Sequence, residues 1–542
     1  MQLPANQTSA AAVAAPATIM HSSDVPSNRG KIMHGTIVAT AALALALALT
    51  PDTAAATIAP AHASQKQPTD PVEYAAQLVQ DAFEELGHNE MASAQAKLDL
   101  ALASKGFAQL PTNLRYRALL ISSMIAAENE QQAKAHELAT RATSFDQADR
   151  TAWMIRLSCA FAIGDYPDAA QSLTVLAQRW PDKLGDIQPQ AIMQLHRELA
   201  QPPQAELDRN MLDALFDGGW KVDGVEPGDL WRDLALLHLG RQEIARATTV
   251  ALRIDSAQTA LSMRVDKRYD AITASHPQAF DVDRLLIAQI AAAQARMQAY
   301  PDQLTPVTDL QELLLLARQY PSVLSISDAA VKHAADGDGG TVYTDFSDRY
   351  NWILDNRSRA LLRLGRFDEA LRTEVLAARR PEQGMMNVSQ LINLATLHAD
   401  LQHPDKAAEV IVELGSMSPY GRMQLESVKL KIALGRQDKT ATADAMGYLR
   451  EHRADAIATW QDALLLHGDL DEAAALLIER LGKPAWRNDA LVAMQHYAEV
   501  TETPLEKLLH QRWNTVTARD DVQAAMQKVG RVETFGMTAP LQ

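Results

Sequence analysis

Trp153–Pro181 reads WMIRLSCAFAIGDYPDAAQSLTVLAQRWP, and the spacing of its apolar residues decides the fold. Trp153, Leu157 and Ala160 fall at helical intervals, and Gly164-Asp165-Tyr166 interrupts the run. Ala169, Leu173 and Leu176 then resume it until Pro181. The pattern predicts two short helices joined by a turn. Glycine at 164 accepts the left-handed backbone on which helices commonly end. The short side chain of Ala169 lets the second helix approach the first closely. Cys159 is the only cysteine, so no intramolecular disulfide forms. With no neighbouring His or basic pair to activate it, it reads as a packing residue.

The same design recurs along the chain. Gly365-Arg366-Phe367-Asp368-Glu369-Ala370 repeats the turn, followed by Ala377 and Pro381. His403-Pro404-Asp405-Lys406-Ala407 repeats it without glycine, followed by Ile411, Leu414 and Pro419. Gly468-Asp469-Leu470-Asp471-Glu472-Ala473 is a further copy, closing near Pro484, and a degenerate unit lies around Gly435 and Thr440. Small residues at 370, 407, 440 and 473 give steps of 37, 33 and 33, and Ala135 precedes Ala169 by 34. Met91-Ala94-Leu98-Ala101 forms a worn first copy, and Gly240 with Ala245 marks another. A Trp early in the first helix, Gly and Tyr at the turn, Ala three residues on and Pro at the end resembles the tetratricopeptide repeat. The resemblance implies an all-α, right-handed superhelical solenoid of helix-turn-helix repeats, the first helix of each lining a concave groove.

Composition agrees with stacked helices. The 542 residues are 47% hydrophobic but only 5% aromatic, and no alternating β-branched run appears. The expected organisation is an N-terminal extension with a secretory signal (1–63), N-terminal repeats (64–200) and an atypical helical middle segment (201–345). C-terminal repeats (346–500), then a capping helix with a flexible tail (501–542), complete it. The glycine cluster near 336–340 reads as a hinge. Asp336 and Asp338 lack the glycine and the closing glutamate of a calcium loop, so no metal is expected. Tyr300-Pro301 and Tyr320-Pro321 read as two helix stops.

Arg29 and Lys31 precede an apolar run of 13 residues, Ile37–Leu49, and Ala61-His62-Ala63 supplies a small-x-small site before Ser64. This order predicts a secretory signal cleaved after Ala63 and a periplasmic or secreted protein. The run falls short of the ~20 residues that span a bilayer, so no stable membrane span is expected. Losing Arg29, Lys31, Asp24 and Asp52 leaves the net charge at −16. An acidic surface disfavours nucleic acid and anionic lipid as partners.

No nucleophile elbow, zinc-binding helix, phosphate loop or dinucleotide fingerprint occurs, and adjacent carboxylates such as Glu84-Glu85 splay around a helix. No enzyme activity and no cofactor are therefore expected. The candidate ligand groove carries Arg359, Arg363, Asn393 and Arg422, on which an acidic or hydrogen-bonding ligand could sit. Asn393 and Arg422 match by position the Asn and first basic residue with which the family's clamp grips a peptide carboxylate. Asp355, Arg359 and Glu426 depart from that clamp. Salt bridges from the arginines to Asp368 and Glu369 are the alternative. The functional expectation is an exported scaffold binding a protein segment or envelope polysaccharide in assembly, secretion or polysaccharide export. The alternatives are an enzyme or enzyme subunit with its site in the middle segment, or a self-associating structural repeat protein.

Overall fold

The computed structural model describes residues 70–200, 203–337, 339–381 and 385–540. The expected signal, residues 1–63, lies outside them. Among the described residues every regular element is helical, and the only β-type pairings are isolated bridges such as Asp266 with Gly530. No helix among them is long and apolar enough to cross a membrane. The fold is an all-α array of helix-turn-helix pairs, and the described chain divides into two compact units, 70–234 and 235–540.

In the first unit, α1 (Pro71–Gly87) packs on α2 (Met91–Ala103), α3 (Thr112–Glu128) on α4 (Gln132–Thr143) and α5 (Arg150–Ile163) on α6 (Tyr166–Arg179). Then come α7 (Pro189–Leu199), α8 (Ala205–Asp217) and the first half of α9 (Gly228–Gly240). Asp70, Asp149 and Asp165 cap helix N-termini by accepting from Val72, Ala152 and Asp168 backbone N–H groups. Ala94, Ala135 and Ala169 are each the fourth residue of a second helix, and each is completely buried. Cys159 is buried in α5, and burial pushes its thiol up to about 12, which suits packing and not nucleophilic attack.

The turn needs one left-handed residue. Gly164 supplies it at φ 79°, as Gly365 and Gly468 do at 74° and 97°. Where the sequence has no glycine, Asn89, Glu130, Gln242, Arg318, Gln402 and Gln437 take the same conformation. Those repeats therefore look worn in sequence while keeping the same turn.

The second unit continues with α10 (Ile244–Ala251), α11 (Ala257–Val265), α12 (Asp270–Thr273), α13 (Val282–Ala299), α14 (Thr305–Leu316), α15 (Tyr320–Asp336) and α16 (Gly339–Val342). Next are the pairs α17 (Phe346–Arg363) with α18 (Phe367–Ala378), α19 (Val388–Asp400) with α20 (Pro404–Val410), α21 (Pro419–Gly435) with α22 (Lys439–Glu451) and α23 (Ile457–His467) with α24 (Leu470–Gly482). It ends with α25 (Pro484–Ala493), α26 (Pro504–Thr517) and α27 (Asp520–Val529). The expected hinge near 336–340 holds the end of α15 and the single turn of α16. A side chain on Gly339 would strike the ring of Phe346.

Four expectations need correction. Pro321 does not stop a helix: α15 begins at Tyr320, and α21 and α25 likewise begin at Pro419 and Pro484. Proline's missing N–H is no loss in a first helical turn. The fourth residue of α22 is Thr442, not Thr440, because Asp438 caps that helix; Thr442 is buried and Thr440 exposed. In α10 it is Ala247, not Ala245. Finally, the segment after Gly530 is ordered as far as residue 540 among the described residues. Phe535 and Met537 are buried. Its main chain bonds to His496, Ala498, Val265 and Leu316: His496 N–H donates to Glu533 (2.9 Å), Phe535 N–H to His496 (2.8 Å), Ala498 N–H to Met537 (3.1 Å), Arg531 N–H to Val265 (3.0 Å) and Thr538 N–H to Leu316 (2.9 Å). Residues 531–538 hold two large apolar side chains among polar ones, a pattern that reads as a loop until the surface beneath it is known.

Candidate functional site

The four groove candidates come from the first helices of successive pairs: Arg359 and Arg363 from α17, Asn393 from α19 and Arg422 from α21. Two of them share one cluster. Asp355 accepts from Asn393 Nδ2 at 3.0 Å, and Arg359 Nη1 donates to Asn356 Oδ1 at 2.8 Å. Gln390, with its amide turned to satisfy both carboxylates, donates to Asp355 Oδ1 (3.3 Å) and Glu374 Oε1 (2.9 Å). Glu374 is buried, and burial together with the nearby Asp355 charge drives its carboxyl well above the usual range. Burial also pulls the Arg359 guanidinium down, against the charges of Asp355 and Glu312. The cluster ties α17, α18 and α19 in register through amides that bridge carboxylates.

Arg363 is committed elsewhere. It makes a two-pronged bond to Glu506 of α26, Nη2 to Oε1 at 2.9 Å and Nη1 to Oε2 at 3.0 Å, and Nη1 also reaches Thr501 O at 2.8 Å. Burial opposes ionisation of Glu506, but Arg363 and Thr503 outweigh it and hold its carboxyl below the ordinary range. Thr503 and Glu506 form a reciprocal capping box, with bonds of 3.2 and 2.7 Å. Among the described residues Arg422 shares no partner with the other three. It pairs with Glu426 at 2.8 Å and lies 5.4 Å from the centroid of the Tyr448 ring. The expected salt bridges to Asp368 and Glu369 do not form with Arg359 or Arg363; Glu369 pairs with Arg366 at 2.7 Å.

Part of the face of the first helices is already covered by α26, which packs on the first helices α19 and α23 and on the second helix α24. Leu509, Trp513 and Val516 are buried, and Arg512 Nη1 donates to the carbonyls of Leu465 and Leu466, each at 2.6 Å. Beneath it, Lys431 bonds Asp400 at 2.8 Å, both buried. A small cavity of about 10 Å³, room for one water, is lined by Thr396, Gln424, Ser427, Lys431, Asp462 and Leu509 among others. Burial raises Asp462 to about 7. Arg480, only 1% exposed, leaves Nε and Nη2 without a hydrogen-bond partner among the described residues. Asp400, Lys431, Asp462 and Glu506 escaped sequence reasoning. Only Glu506 carried a signal, the Thr503-Pro504-Leu505-Glu506 capping pattern.

A larger cleft of about 600 Å³ lies between α22 and the α23–α24 turn, over Leu434, Thr442 and Met446. Two of its polar groups are engaged, Arg450 with Glu472 at 2.9 Å and His467 with Asp469 at 2.8 Å.

In the first unit His196 lies between two carboxylates, Nδ1 3.0 Å from Asp208 and Nε2 3.2 Å from Asp233. Burial lowers its pKa, but the two carboxylates more than compensate and hold it at about 9. An imidazole protonated on both nitrogens at neutral pH is an ionic bridge and not a general base.

No protein-family model matches the sequence, and no curated protein matches it. Among solved structures the chain is similar to one described as the crystal structure of the yeast Tom70. The identity is 12%, the TM-score 0.29, and the match covers 85% of this chain and 100% of that one. It is also similar to a structure described as Naa15/Naa10 bound to HypK-THB, with 12% identity, a TM-score of 0.21 and coverage of 78% and 70%. Likenesses of this depth carry no functional weight.

Proposed function

We propose that the chain is a non-catalytic scaffold whose first-helix face holds an extended or helical protein segment, with an envelope polysaccharide as the alternative cargo. One observation supports this reading above the rest. The face of α17, α19, α21 and α23 already holds polypeptide, the chain's own α26, through a two-pronged carboxylate–arginine pair, donation to carbonyls and three buried apolar side chains. A surface that grips one segment in this way has the chemistry to grip another. The candidates Arg359 and Asn393 lie on the same helices as this contact. We further propose export to the periplasm of a Gram-negative bacterium, from Arg29, Lys31, Ile37–Leu49 and Ala61-His62-Ala63. The role would lie in envelope assembly, secretion or polysaccharide export.

The test uses the mature chain, 64–542, immobilised in a periplasmic extract, with Arg359→Glu and Arg422→Glu as companions. A protein retained by the native chain and lost from either variant is the expected result. Equal retention by all three would overturn the assignment to this face. Fractionation of cells expressing the full sequence tests the compartment: a product beginning at Ser64 in the periplasm is expected, and an uncleaved cytosolic product would remove the export reading.

A further inference from the structure

We propose that the face of α17, α19, α21 and α23 is a docking surface for an amphipathic helix carrying a carboxylate in its first turn. On this view the chain's own α26 is an exchangeable occupant of that surface. The inference rests on the scaffold reading and adds to it the chemistry of the partner and a means of masking.

Two observations carry it. The first is complementarity. Arg363 meets the only first-turn acid of α26, Glu506, at the end of the helix where the peptide dipole also favours negative charge. Leu509, Trp513 and Val516 then follow at helical spacing as buried anchors. A partner helix needs a carboxylate in its first turn, followed by an apolar stripe at intervals of three and four residues.

The second is the composition of the seat. A permanently packed helix is normally seated on aliphatic side chains, as the first unit shows around Ala94 and Ala135. Under and around α26 the aliphatic Val428 and Leu466 are joined by Asp400, Lys431, Asp462, Arg363 and a cavity of about 10 Å³ that Leu509 helps to line. Buried ion pairs specify an arrangement strongly while adding little net stability over apolar packing. Of these pairs Arg363–Glu506 joins α26 to the face, so the ionic contact makes the seat selective for a carboxylate at that place. Between Ala498, whose backbone is bonded to Met537, and the Thr503 cap, the exposed to half-buried residues 499–502 supply what slack there is.

The test measures hydrogen exchange of the native mature chain together with binding of a labelled synthetic peptide of residues 499–519. The α26 amides should exchange at least about tenfold faster than those of α21 and α23, as a sub-global opening. Glu506→Arg, which sets two cations face to face, should raise that ratio and let the chain bind the peptide in trans. A peptide carrying the same Glu506→Arg change should not bind. Combining Glu506→Arg with Arg363→Glu should restore the closed state and exclude the native peptide. Exchange of α26 in step with α21 and α23 would overturn the proposal, and it needs no variant that folds. Binding indifferent to the residue at 506 would also overturn it. A partner captured by a chain whose α26 never opens would leave the scaffold reading standing and remove only this inference.

Discussion

In α1–α6 the helix pairs meet over Ala94, Ala135 and Ala169, and the surrounding core is Leu98, Leu119, Leu120, Ile125 and Leu138. From α17 to α26 the pairs meet over Ala370, Ala407 and Ala473 in the same position. Yet the buried set there includes Asp355, Glu374, Asp400, Glu426, Lys431, Arg480 and Glu506. The repeat is the same, and the small fourth residue of the second helix serves both regions. What differs is buried polarity, carried on first helices by Asp355, Asp400, Glu426 and Lys431 and on second helices by Glu374 and Arg480. In the second region a segment from elsewhere in the chain lies across them, and charges that would otherwise be solvated are buried. Helix pairing is thus set by apolar volume, while the charged residues tie neighbouring helices and α26 to one another.

The largest expected effect breaks the charged side of that comparison. Lys431→Met leaves Asp400 buried without its cation and should cost ~3–5 kcal/mol in urea unfolding. Lys431→Met with Asp400→Leu should recover most of the loss, since apolar replacement of a whole buried pair is often neutral. A single variant within about 1 kcal/mol of native would show that the pair is solvated and the contrast is weaker than drawn. On the apolar side, Leu173→Ala should cost ~2–5 kcal/mol. Ala169→Leu, which forces volume between α5 and α6, should cost ~1–3 kcal/mol by the same measurement.

The pH dependence sharpens the comparison. His196 is held at about 9, above its ordinary 6.5. Its contribution to the first unit is complete below pH 6.5 and is lost as pH rises toward 9. Asp462, raised from 3.8 to about 7, contributes most below pH 3.8 and loses that contribution as pH rises through 7. Both regions therefore weaken as pH rises, the charged one first. Thermal melts at pH 5, 7 and 9 should show both losses. His196→Asn should flatten the decline between pH 7 and 9, and Asp462→Asn the decline below 7. A slope unchanged in either variant would rule out that group as its source.

The smallest effects concern the turn. Gly468→Ala forces a side chain into φ 97° and should cost about 1 kcal/mol. Gln437→Gly, at φ 55°, should gain up to about 1 kcal/mol at the equivalent turn. Equal effects of opposite sign would show that glycine-free repeats carry their strain in this one residue.

Much of the fold was legible because its signals are local. Gly164, Gly365 and Gly468 mark turns, and Ala169, Ala370, Ala407 and Ala473 mark close helix approaches at a period near 34. Counting from Gly435 and Gly240 gives Thr440 and Ala245, two residues early, because those glycines end helices and the left-handed residues are Gln437 and Gln242; Thr442 and Ala247 are the buried ones. Pro321, Pro419 and Pro484 were ambiguous for a physical reason: proline is excluded from helix interiors and tolerated at first turns, so it marks a boundary without giving its direction. Of the groove residues Arg359, Arg363, Asn393 and Arg422, which the tetratricopeptide resemblance put on first helices, the structure joins Arg359 and Asn393 in one cluster and gives Arg363 and Arg422 other partners. Those partners could not be read from the sequence.

The sequence alone determined the helix-turn-helix unit, its repetition, the packing role of Cys159 and the order of basic, apolar and small-residue segments at the start. Each of these depends on residues within about ten positions of one another, or on a period. Only the tertiary structure decided that the first-helix face is occupied. Glu506 lies 143 residues from the Arg363 it binds, and Glu533 lies 269 residues from Arg264. No periodicity encodes such a pairing, because it arises where a solvated carboxylate is carried by folding onto a buried guanidinium, and the free energy of that meeting belongs to neither segment alone.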